Sequence, residues 1–439
     1  MAKKVIVLSV IGDTTNYREA LYSLDKQSIE VKSRYSAAAL CKMIDADKLV
    51  IFVPVSTVVG DIDNTITNDY SVLESKVSSR TASFIEDQLP DSIAFDIVVI
   101  PLMGTFISTK EPEKSITLDV LPSSVGFYFY RKIVEELESC FENDRREVEL
   151  CLDITHSVNY ASVLMVEMAK IAAQAASVKL NLNLTITVYN SDPFVKATLP
   201  KLIIHDIEKR QESHDLGSLN RLCSDFYYSI DKGKLINNLA NLGISEPQRN
   251  LPRIASYFAI VGALLAISYF FEEVNQLRKT LWEEIVLFTK STNFVVTKQG
   301  DKFLVKALKR GLLLIVRSHA ILYALSNSVF GMGEAVRVEK LKLLAEKLLS
   351  EPASGIVKNE INLIEKSFVT IDIEETAWRH IGSTNDSSGA CECKGLNRRN
   401  FIAHAGLENN VTFVRRKDSV VQISYLDCFK EITKEFKSI

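Results

Sequence analysis

The residues best suited to catalysis lie near the end of the chain, in the run NRRNFIAHAG that starts at Asn397 and ends at Gly406. Asparagine is a favoured helix cap and glycine a favoured helix stop, so this run predicts a short helix. On that helix Asn400 and His404 share a face, and the long side chain of Arg399 can converge on it. Histidine, whose unperturbed pKa is near neutrality, and a permanently charged guanidinium suit proton transfer beside a phosphate. The spacing equally fits a surface arginine and a histidine stabilised by the helix dipole.

Basic residues flank this run. From Lys394 to Lys417 the chain has six basic residues and one acid, Glu408, which gives a local charge of +5. Such a patch is typical of nucleic-acid backbone binding, although a solvated hairpin turn would carry the same charges. The predicted binding residues are Arg398, Arg415, Arg416 and Lys417.

The whole chain is much less basic than this patch. Its 439 residues include 52 Lys and Arg against 55 Asp and Glu, a net charge of −3, and 47% are hydrophobic. These values exclude a chain that is basic throughout and an acidic disordered chain, and the length predicts more than one domain. Seven cysteines, thinly spread, do not resemble a disulfide framework. A reducing cytoplasm is the compartment that they favour.

The first 203 residues predict an α/β Rossmann-like domain with a doubly wound parallel sheet. Short, continuously apolar runs alternate with helical stretches, as in a parallel sheet with both faces covered. The predicted strands are Val5–Ile11, Leu49–Val55, Ile97–Met103, Val148–Ile154 and Leu184–Tyr189. The predicted helices are Ser36–Ile44, Ser71–Gln88, Phe127–Phe141 and Val158–Ala176.

Beyond Pro200 the pattern changes to long amphipathic segments, which predict helices. These segments are Lys302–Phe330, Val336–Ser350 and Ile423–Lys437. Residues 204–250 are predicted to form a helical linker and residues 251–439 an all-α domain. That domain would include one small β-hairpin over residues 411–423, with a polar turn at Lys417-Asp418.

Two polar loops are the predicted ligand site of the first domain, because ligands of open α/β sheets bind at the carboxyl ends of the strands. One loop follows the first predicted strand and the other follows the fourth. Their candidate residues are Gly12, Asp13, Thr14, Thr15, Asn16, Asp153, Thr155, His156, Ser157 and Asn159. Thr155 or Ser157 could equally be a simple helix cap. The sequence has neither a P-loop nor a dinucleotide-binding glycine pattern.

The segment Asp153-Ile-Thr-His156, together with the predicted fold, resembles the sensor motif of the CARF family. CARF domains are Rossmann-like and bind cyclic oligoadenylates in CRISPR systems. Many relatives have glycine after the Thr-His pair, whereas this chain has Ser157. The resemblance covers about residues 1 to 200 and implies a cyclic oligoadenylate as activating ligand, with the tetra-adenylate ring as the expected size.

The pattern Arg399-Asn400-x-x-x-His404 matches the R-x(4)-H motif of the HEPN family, in the form common among its ribonucleases. A CARF-like sensor followed by this motif resembles the CARF-HEPN ancillary ribonucleases of type III CRISPR systems, over nearly the whole chain. The resemblance implies a homodimer or higher homo-oligomer that cuts single-stranded RNA through the 2′-hydroxyl, with no metal. His404 would transfer protons, Arg399 would stabilise charge on the phosphate, and Asn400 would orient one of them.

Several alternatives remain open at this stage. The sensor domain could also cleave its ligand as a ring nuclease, with His156 or a nearby hydroxyl assisting, or the protein could be a ligand-responsive regulator without enzyme activity. The uncharged run Ile254–Phe271 is expected to be a buried helix and not a membrane span. Cys391 and Cys393 form a C-x-C pair without a second pair, so a disulfide or two free thiols is expected and no metal site.

Overall fold

The computed structural model describes residues 3–25, 29–61, 69–156, 159–194, 199–212, 217–309, 311–333, 335–349, 351–369, 378–381 and 393–436. In the first half of the chain the strands are β1 (Lys4–Val10), β2 (Ala20–Leu24), β3 (Glu30–Ser33), β4 (Lys48–Pro54), β5 (Ala94–Ile100), β6 (Gly104–Ile107), β7 (Ser115–Asp119), β8 (Glu147–Asp153), β9 (Asn183–Ser191) and β10 (Lys201–Glu212). The helices there are α1 (Ser36–Met43), α2 (Tyr70–Glu86), α3 (Val125–Glu142) and α4 (Asn159–Leu180).

In the second half the helices are α5 (Gly217–Ser229), α6 (Lys232–Asn241), α7 (Glu246–Arg249), α8 (Leu251–Ile260), α9 (Leu264–Tyr269), α10 (Phe271–Phe288), α11 (Leu313–Leu325), α12 (Val338–Leu348), α13 (Ala353–Val369), α14 (Arg398–Ala403) and α15 (Phe429–Phe436). The strands there are β11 (Phe294–Gln299), β12 (Lys302–Ala307), β13 (Val336–Arg337), β14 (Arg379–His380), β15 (Phe413–Lys417) and β16 (Val420–Ser424). The chain divides into two compact units. The first unit comprises Met1–Ala173, Leu182–Glu212 and Glu283–Val316, and the second comprises Gln174–Asn181, Ser213–Trp282 and Arg317–Ile439.

The first unit contains the predicted Rossmann-like sheet. All five predicted strands are present, and β9, β8, β1, β4 and β5 are parallel neighbours in that order. The sheet is nevertheless mixed, because β10 pairs antiparallel with β9 and brings β2 and β3 to the far edge. Along β10 the later residues are largely exposed, so the strand lacks the continuous apolar run that marks the buried strands. The expectation of a wholly parallel sheet is corrected on this point.

A second sheet of the first unit changes the predicted limits of the domains. β11 and β12 form a hairpin, and β12 pairs with β7 in the order β11-β12-β7-β6. Stacking of Phe294 on Tyr70, with ring centroids 4.4 Å apart, adds to this attachment. Residues 283–316 therefore pack with the first unit, although they lie within the predicted domain 251–439. The predicted helix Lys302–Phe330 is wrong over residues 302–307, which form β12.

The second unit is mainly helical, as predicted, with a small antiparallel sheet. The predicted hairpin over 411–423 is present as β15 and β16, with Lys417 opposite Val420. Asp418 and Ser419 both have positive φ, 53° and 61°, as a two-residue type I′ turn requires. The predicted linker 204–250 is wrong over residues 204–212, which continue β10, and is helical beyond them in α5, α6 and α7.

The apolar run Ile254–Phe271 is buried but does not form a single helix. Gly262, with φ +76°, separates α8 from α9. An apolar face on each side of this break packs into the core, where Phe258 and Leu265 are completely buried. By length and composition one described helical stretch, Tyr160–Leu180 in α4, could span a membrane, and 67% of its apolar window is buried inside the protein.

His319 lies in the core of the second unit, as its position in an apolar helix predicts. It is 1% exposed, and its ring centroid lies 5.1 Å from that of Trp282 and 5.6 Å from that of Tyr323. Burial, reinforced by the charge of Arg278, lowers the pKa of His319 to about 3. The imidazole is therefore neutral in the folded protein at physiological pH.

This burial predicts a loss of stability in acid. Between pH 6.5 and about 3 the unfolded chain binds a proton at His319 and the folded chain does not, so the free energy of unfolding decreases as the pH falls. The slope attributable to this one proton is about 1.4 kcal/mol per pH unit. Urea unfolding of wild type and His319→Phe between pH 7 and 5 measures it. The variant should lack this component while a His205→Gln control keeps it; identical pH dependence in wild type and His319→Phe would contradict the prediction.

Candidate active site and sensor site

The predicted catalytic residues lie on and just after α14. Asn397 caps this helix, since its side-chain oxygen accepts a hydrogen bond from the backbone N–H of Asn400 at 3.1 Å. The helix ends at Ala403, and Gly406 takes φ +84° while its N–H donates to the carbonyl of Phe401 at 2.7 Å. The predicted cap, helix and stop are all confirmed.

One aromatic side chain holds α14 against the second unit. Phe401 is completely buried, and its ring centroid lies 5.2 Å from Phe436, 5.9 Å from Phe258 and 6.2 Å from Tyr425. At 100° per residue, Arg399 points about 200° away from Phe401 and is exposed. Burial of the one side chain thus presents the other to solvent.

His404 has a carboxylate partner from another helix. Its Nδ1 lies 3.0 Å from Oε1 of Glu360 on α13, whose side chain is 17% exposed while that of His404 is 45% exposed. A carboxylate accepts hydrogen bonds, so Nδ1 carries the donated proton and Nε2 is the second ring nitrogen available to a substrate. Glu360 lies 44 residues before His404, and no spacing rule links them. In the sequence Glu360 is one of several polar residues of an amphipathic helix, and nothing marks it as the partner of His404.

A second carboxylate, Glu408, supports the loop that follows His404. It is 2% exposed, and burial raises the pKa of Glu408, whereas backbone N–H groups of Asn410 and Asn397 and the nearby His404 lower it. By accepting a hydrogen bond from the backbone N–H of Asn397, Glu408 joins the loop after His404 to the residue that caps α14. Glu408 is therefore a residue of the interior and not of the exposed basic patch.

A disulfide joins the segment before α14 to the chain just before α15. Cys393 pairs with Cys428, with a Cα–Cα distance of 5.5 Å. Cys393 is therefore neither a free thiol nor the partner of Cys391, which were the two states expected from the sequence. Cys391 itself lies outside the described residues. Together with Phe401 against Phe436, the bond fastens α14 to α15 at two points.

The four predicted RNA-binding residues have different surroundings. Arg398 is exposed and its guanidinium lies 5.5 Å from the ring centroid of Phe436. Arg415 stacks on Trp378 at 4.3 Å and donates to Gln422 at 2.8 Å, so it is partly engaged within the hairpin. Arg416 is half-buried, and Lys417 is exposed at the turn. Arg398 and Lys417 are thus the most accessible of the four.

In the first unit, the two predicted ligand loops come together. Tyr17, which closes the first loop, stacks near His156 of the second loop, with ring centroids 4.8 Å apart. The Tyr17 hydroxyl accepts a hydrogen bond from the N–H of Gly12 at 2.9 Å. Thr15 and Asn16 are exposed at the tip, whereas Thr14 is 9% exposed. Tyr17 was not among the predicted site residues, although it stands in the same loop.

Asp153 supports the second loop from below. It is 1% exposed, and one carboxylate oxygen accepts from Ser9 at 3.2 Å and Ser36 at 2.7 Å. The other oxygen accepts from the N–H of Thr155 at 3.1 Å and from its hydroxyl at 2.6 Å. The Thr155 hydroxyl in turn accepts from the N–H of Ser191 at 3.0 Å. Asp153 and Thr155 therefore make their hydrogen bonds inside the protein and support the loop. The sequence had predicted both as direct ligand contacts.

His156, in the second loop, is half-buried, and its Nε2 lies inside the protein. Burial lowers its pKa, with the Asp153 charge opposing the shift, and its Nε2 has no hydrogen-bond partner among the described residues. Helix α4 begins three residues later, at Asn159. Ser157 and the side chain of Asn159, both predicted as ligand contacts, lie outside the described part of the chain. A neutral imidazole before a long helix is compatible with a ligand that carries phosphates and bases.

Asp13 and Arg80 form an ion pair at the rim of the same site. The Arg80 Nη2 lies 2.6 Å from Oδ1 of Asp13, which also accepts from the N–H of Thr15 at 3.1 Å. Arg80 also donates to the carbonyl of Thr57 at 2.9 Å. Arg80 was not predicted, because it lies in α2 far from both loops in sequence. Arg80 thereby ties α2 to the first loop.

Comparison with known proteins gives the same two-part description. Residues 6–193 match the family described as "CRISPR system endoribonuclease Csx1, CARF domain", and residues 350–427 match the one described as "CRISPR system endoribonuclease Csx1, HEPN domain". A curated relative from Methanocaldococcus jannaschii, named "CRISPR system endoribonuclease Csx1", is 26% identical over 444 residues. That similarity covers 95% of this chain and 89% of the relative. Glu360 and the segment 397–406 both lie within the second match.

The turn after α14 predicts a specific sensitivity at Gly406. A Cβ there would lie 2.8 Å from the Tyr425 hydroxyl and 2.9 Å from Ala263 Cβ, whereas at Gly395, which has a similar φ of +86°, it would meet nothing within 4 Å. Gly395→Ala should cost about 1 kcal/mol from backbone conformation alone. Gly406→Ala should cost about 1–3 kcal/mol more from overpacking. Calorimetric melting of both variants tests this, and equal melting temperatures would show that the turn adapts freely.

Proposed function

This chain belongs to the CARF-HEPN family of CRISPR-associated endoribonucleases, and from that premise we propose that it cuts single-stranded RNA without a metal ion when a cyclic oligoadenylate binds its sensor unit. The observation that carries the proposal is the pairing of His404 Nδ1 with Glu360, five residues after the exposed Arg399. One imidazole nitrogen is held by a carboxylate, the other is available to a substrate, and the long side chain of Arg399 can converge on the same phosphate. That arrangement suits proton transfer at a phosphodiester.

RNA supplies its own nucleophile, the ribose 2′-hydroxyl, so the enzyme needs acid–base chemistry and charge stabilisation. Nε2 of His404 would exchange the proton in this reaction. Arg399 would bind the phosphate as negative charge accumulates, through a planar guanidinium that remains charged at all relevant pH values. Asn400, on the same helix as Arg399, would orient one of these two side chains. In this scheme His404, Arg399 and Asn400 provide the proton transfer and the charge stabilisation, and no metal ion takes part.

Two chains would form each complete site. One chain contributes a single set of Arg399 and His404, and a homodimer or higher homo-oligomer would bring two sets together. A cyclic ligand with twofold symmetry would meet the same loop from each of two sensor units. Activation then requires the ligand to bind the cleavage-competent arrangement more tightly than the idle one. The cytoplasm is the proposed location, without membrane attachment.

The sensor ligand is proposed to be a cyclic oligoadenylate, with the tetra-adenylate as the first ring to test. Thr15 and Asn16 offer polar groups at the loop tip, and the start of α4 offers backbone N–H groups. Tyr17 and His156 supply ring faces on which adenine could stack. Ser157 and Asn159 keep their predicted roles as ligand contacts, as do Gly12, Asp13 and Thr14. Asp153 and Thr155 are proposed to act by holding this loop.

His404→Ala should reduce RNA cleavage by at least about a hundredfold, because general acid–base catalysis contributes on that order or more. Cleavage of a labelled single-stranded RNA would be followed with EDTA, with and without cyclic tetra-adenylate. Wild type should cleave rapidly only with the ring. A His205→Ala control, altered in the first unit, should behave as wild type. Full activity of His404→Ala, or loss of wild-type activity in EDTA, would contradict the catalytic assignment.

Glu360 is proposed as a positioning residue for His404. Glu360→Ala should lower kcat by about tenfold, since His404 remains at the end of α14 but loses the partner that fixes its ring. Glu360→Gln should recover much of this loss, because the amide oxygen can still accept from Nδ1–H. Glu365→Ala, on the same helix, is the matched control. Equal impairment of the Ala and Gln variants together with a lower melting temperature would indicate a structural role only.

A further inference from the structure

A tyrosine on the surface of the second unit lacks any role in the scheme above. Tyr228, at the end of α5, is 77% exposed, more than any other large hydrophobic side chain among the described residues. Aromatic rings of this size are seldom left so open to water, because burying one removes a large apolar surface from solvent. An exposed ring next to charged groups is therefore a candidate contact for another molecule.

Tyr228 is the outermost member of a group of three rings, Tyr227, Tyr228 and Tyr257, here called the tyrosine cluster. Tyr227 meets Tyr228 edge to face, with ring centroids 5.3 Å apart, and the ring centroid of Tyr257 lies 5.4 Å from that of Tyr227. Contact with two neighbours restricts Tyr227, and Tyr227 supports the ring of Tyr228 from one edge. The exposed ring of Tyr228 is thus supported by its contact with Tyr227.

Two guanidinium groups border the tyrosine cluster. Arg253 lies over the ring of Tyr227, with its guanidinium carbon 4.7 Å from the centroid, and donates to the carbonyl of Ile230 at 3.1 Å. Arg398 forms a side-chain hydrogen bond with Tyr257, whose pKa is raised by burial and lowered by this cation. The cluster therefore presents aromatic faces together with positive charge.

Arg398 also connects the cluster to the proposed catalytic residues. It is the first residue of α14, and Arg399 follows it directly. His404 stands just beyond the other end of this six-residue helix, a distance of about 9 Å along its axis. A strand of RNA bound at Arg399 and His404 would therefore need only a few nucleotides to reach the tyrosine cluster.

We propose that the tyrosine cluster binds an unpaired base of the RNA substrate, stacked on Tyr228, while Arg253 and Arg398 contact the adjoining phosphates. This inference rests on the proposed ribonuclease function and adds a substrate subsite to it. Stacking on aromatic side chains and salt-sensitive cationic contacts are the usual means of holding single-stranded RNA without sequence readout. The site would favour single strands over duplexes, because a paired base cannot leave its stack without cost.

A protein partner is the other occupant that tyrosine and arginine would suit. RNA is favoured because the cluster is continuous with the helix that carries the catalytic candidates, through the contact of Tyr257 with Arg398. A surface that served only a protein partner would have no need of that connection. The two occupants predict different results in a binding experiment.

Equilibrium binding of a fluorescein-labelled single-stranded RNA, followed by anisotropy, tests the subsite. All variants would carry His404→Ala, and a gel run after each titration would verify that the labelled RNA is intact, so that the readout does not depend on whether His404 is catalytic. Tyr228→Ala should raise Kd about tenfold, the size expected from losing one stacked base. Tyr228→Trp should bind as well as Tyr228, and Leu343→Ala, which alters another exposed side chain of the same unit, should have no effect.

Three results would overturn the proposal. The first is an unchanged Kd for Tyr228→Ala at moderate salt. The second is equal weakening of single-stranded and duplex RNA, which would mean that the ring does not contact an unpaired base. The third is a change in oligomeric state of Tyr228→Ala by sedimentation that accounts for the whole change in Kd, which would assign the ring to a protein interface. Tenfold weaker binding of single strands, with tryptophan rescue and an unchanged oligomeric state, would support it.

Discussion

Burial of Phe401 is the contact on which the candidate active site depends. α14 has six residues, too few to be stable in water by its own hydrogen bonds, because helix nucleation is costly. Phe401 packs among Phe258, Tyr425 and Phe436, and this packing supplies the stability that the helix lacks. The position of Arg399, Asn400 and His404 follows from it. The Cys393–Cys428 disulfide and the Glu408 hydrogen bonds then restrain the two ends of the same segment.

The sensor site is built on a comparable principle with polar groups in place of aromatic ones. The buried carboxylate of Asp153 accepts four hydrogen bonds, from Ser9, Ser36 and two groups of Thr155, which hold Thr155 in place at the start of the second loop. A buried charge is tolerated only when its acceptor capacity is satisfied in this way. Tyr17 and His156 pack on each other beside this loop, and Thr15 and Asn16 are the exposed residues left for a ligand. In both units the residue that fixes the site differs from the residues that would act on a ligand.

Much of the fold could be predicted from the sequence where one physical signal dominated. β1, β4, β5, β8 and β9 are continuously apolar because both faces are covered, and α14 has its cap and its stop at the expected residues. β10 was missed because most of its later residues face water. The β11–β12 hairpin could have been found, since Gly300-Asp301 is a two-residue turn between alternating apolar residues. Tyr17 could also have been found, since it stands in the first predicted loop, whereas Glu360 and Arg80 could not, because their contacts join segments far apart in sequence.

The central claim is that the ribose 2′-hydroxyl of the RNA is the nucleophile and that His404 and Arg399 serve its attack. The ends of the cleaved RNA report on this most directly, because transfer to the 2′-hydroxyl and hydrolysis by an activated water leave different groups. Mass spectrometry of RNA cut by the ring-activated protein should find a 2′,3′-cyclic phosphate on one fragment and a 5′-hydroxyl on the other. Fragments ending in a 3′-hydroxyl, with phosphate on the 5′ side, would contradict the account.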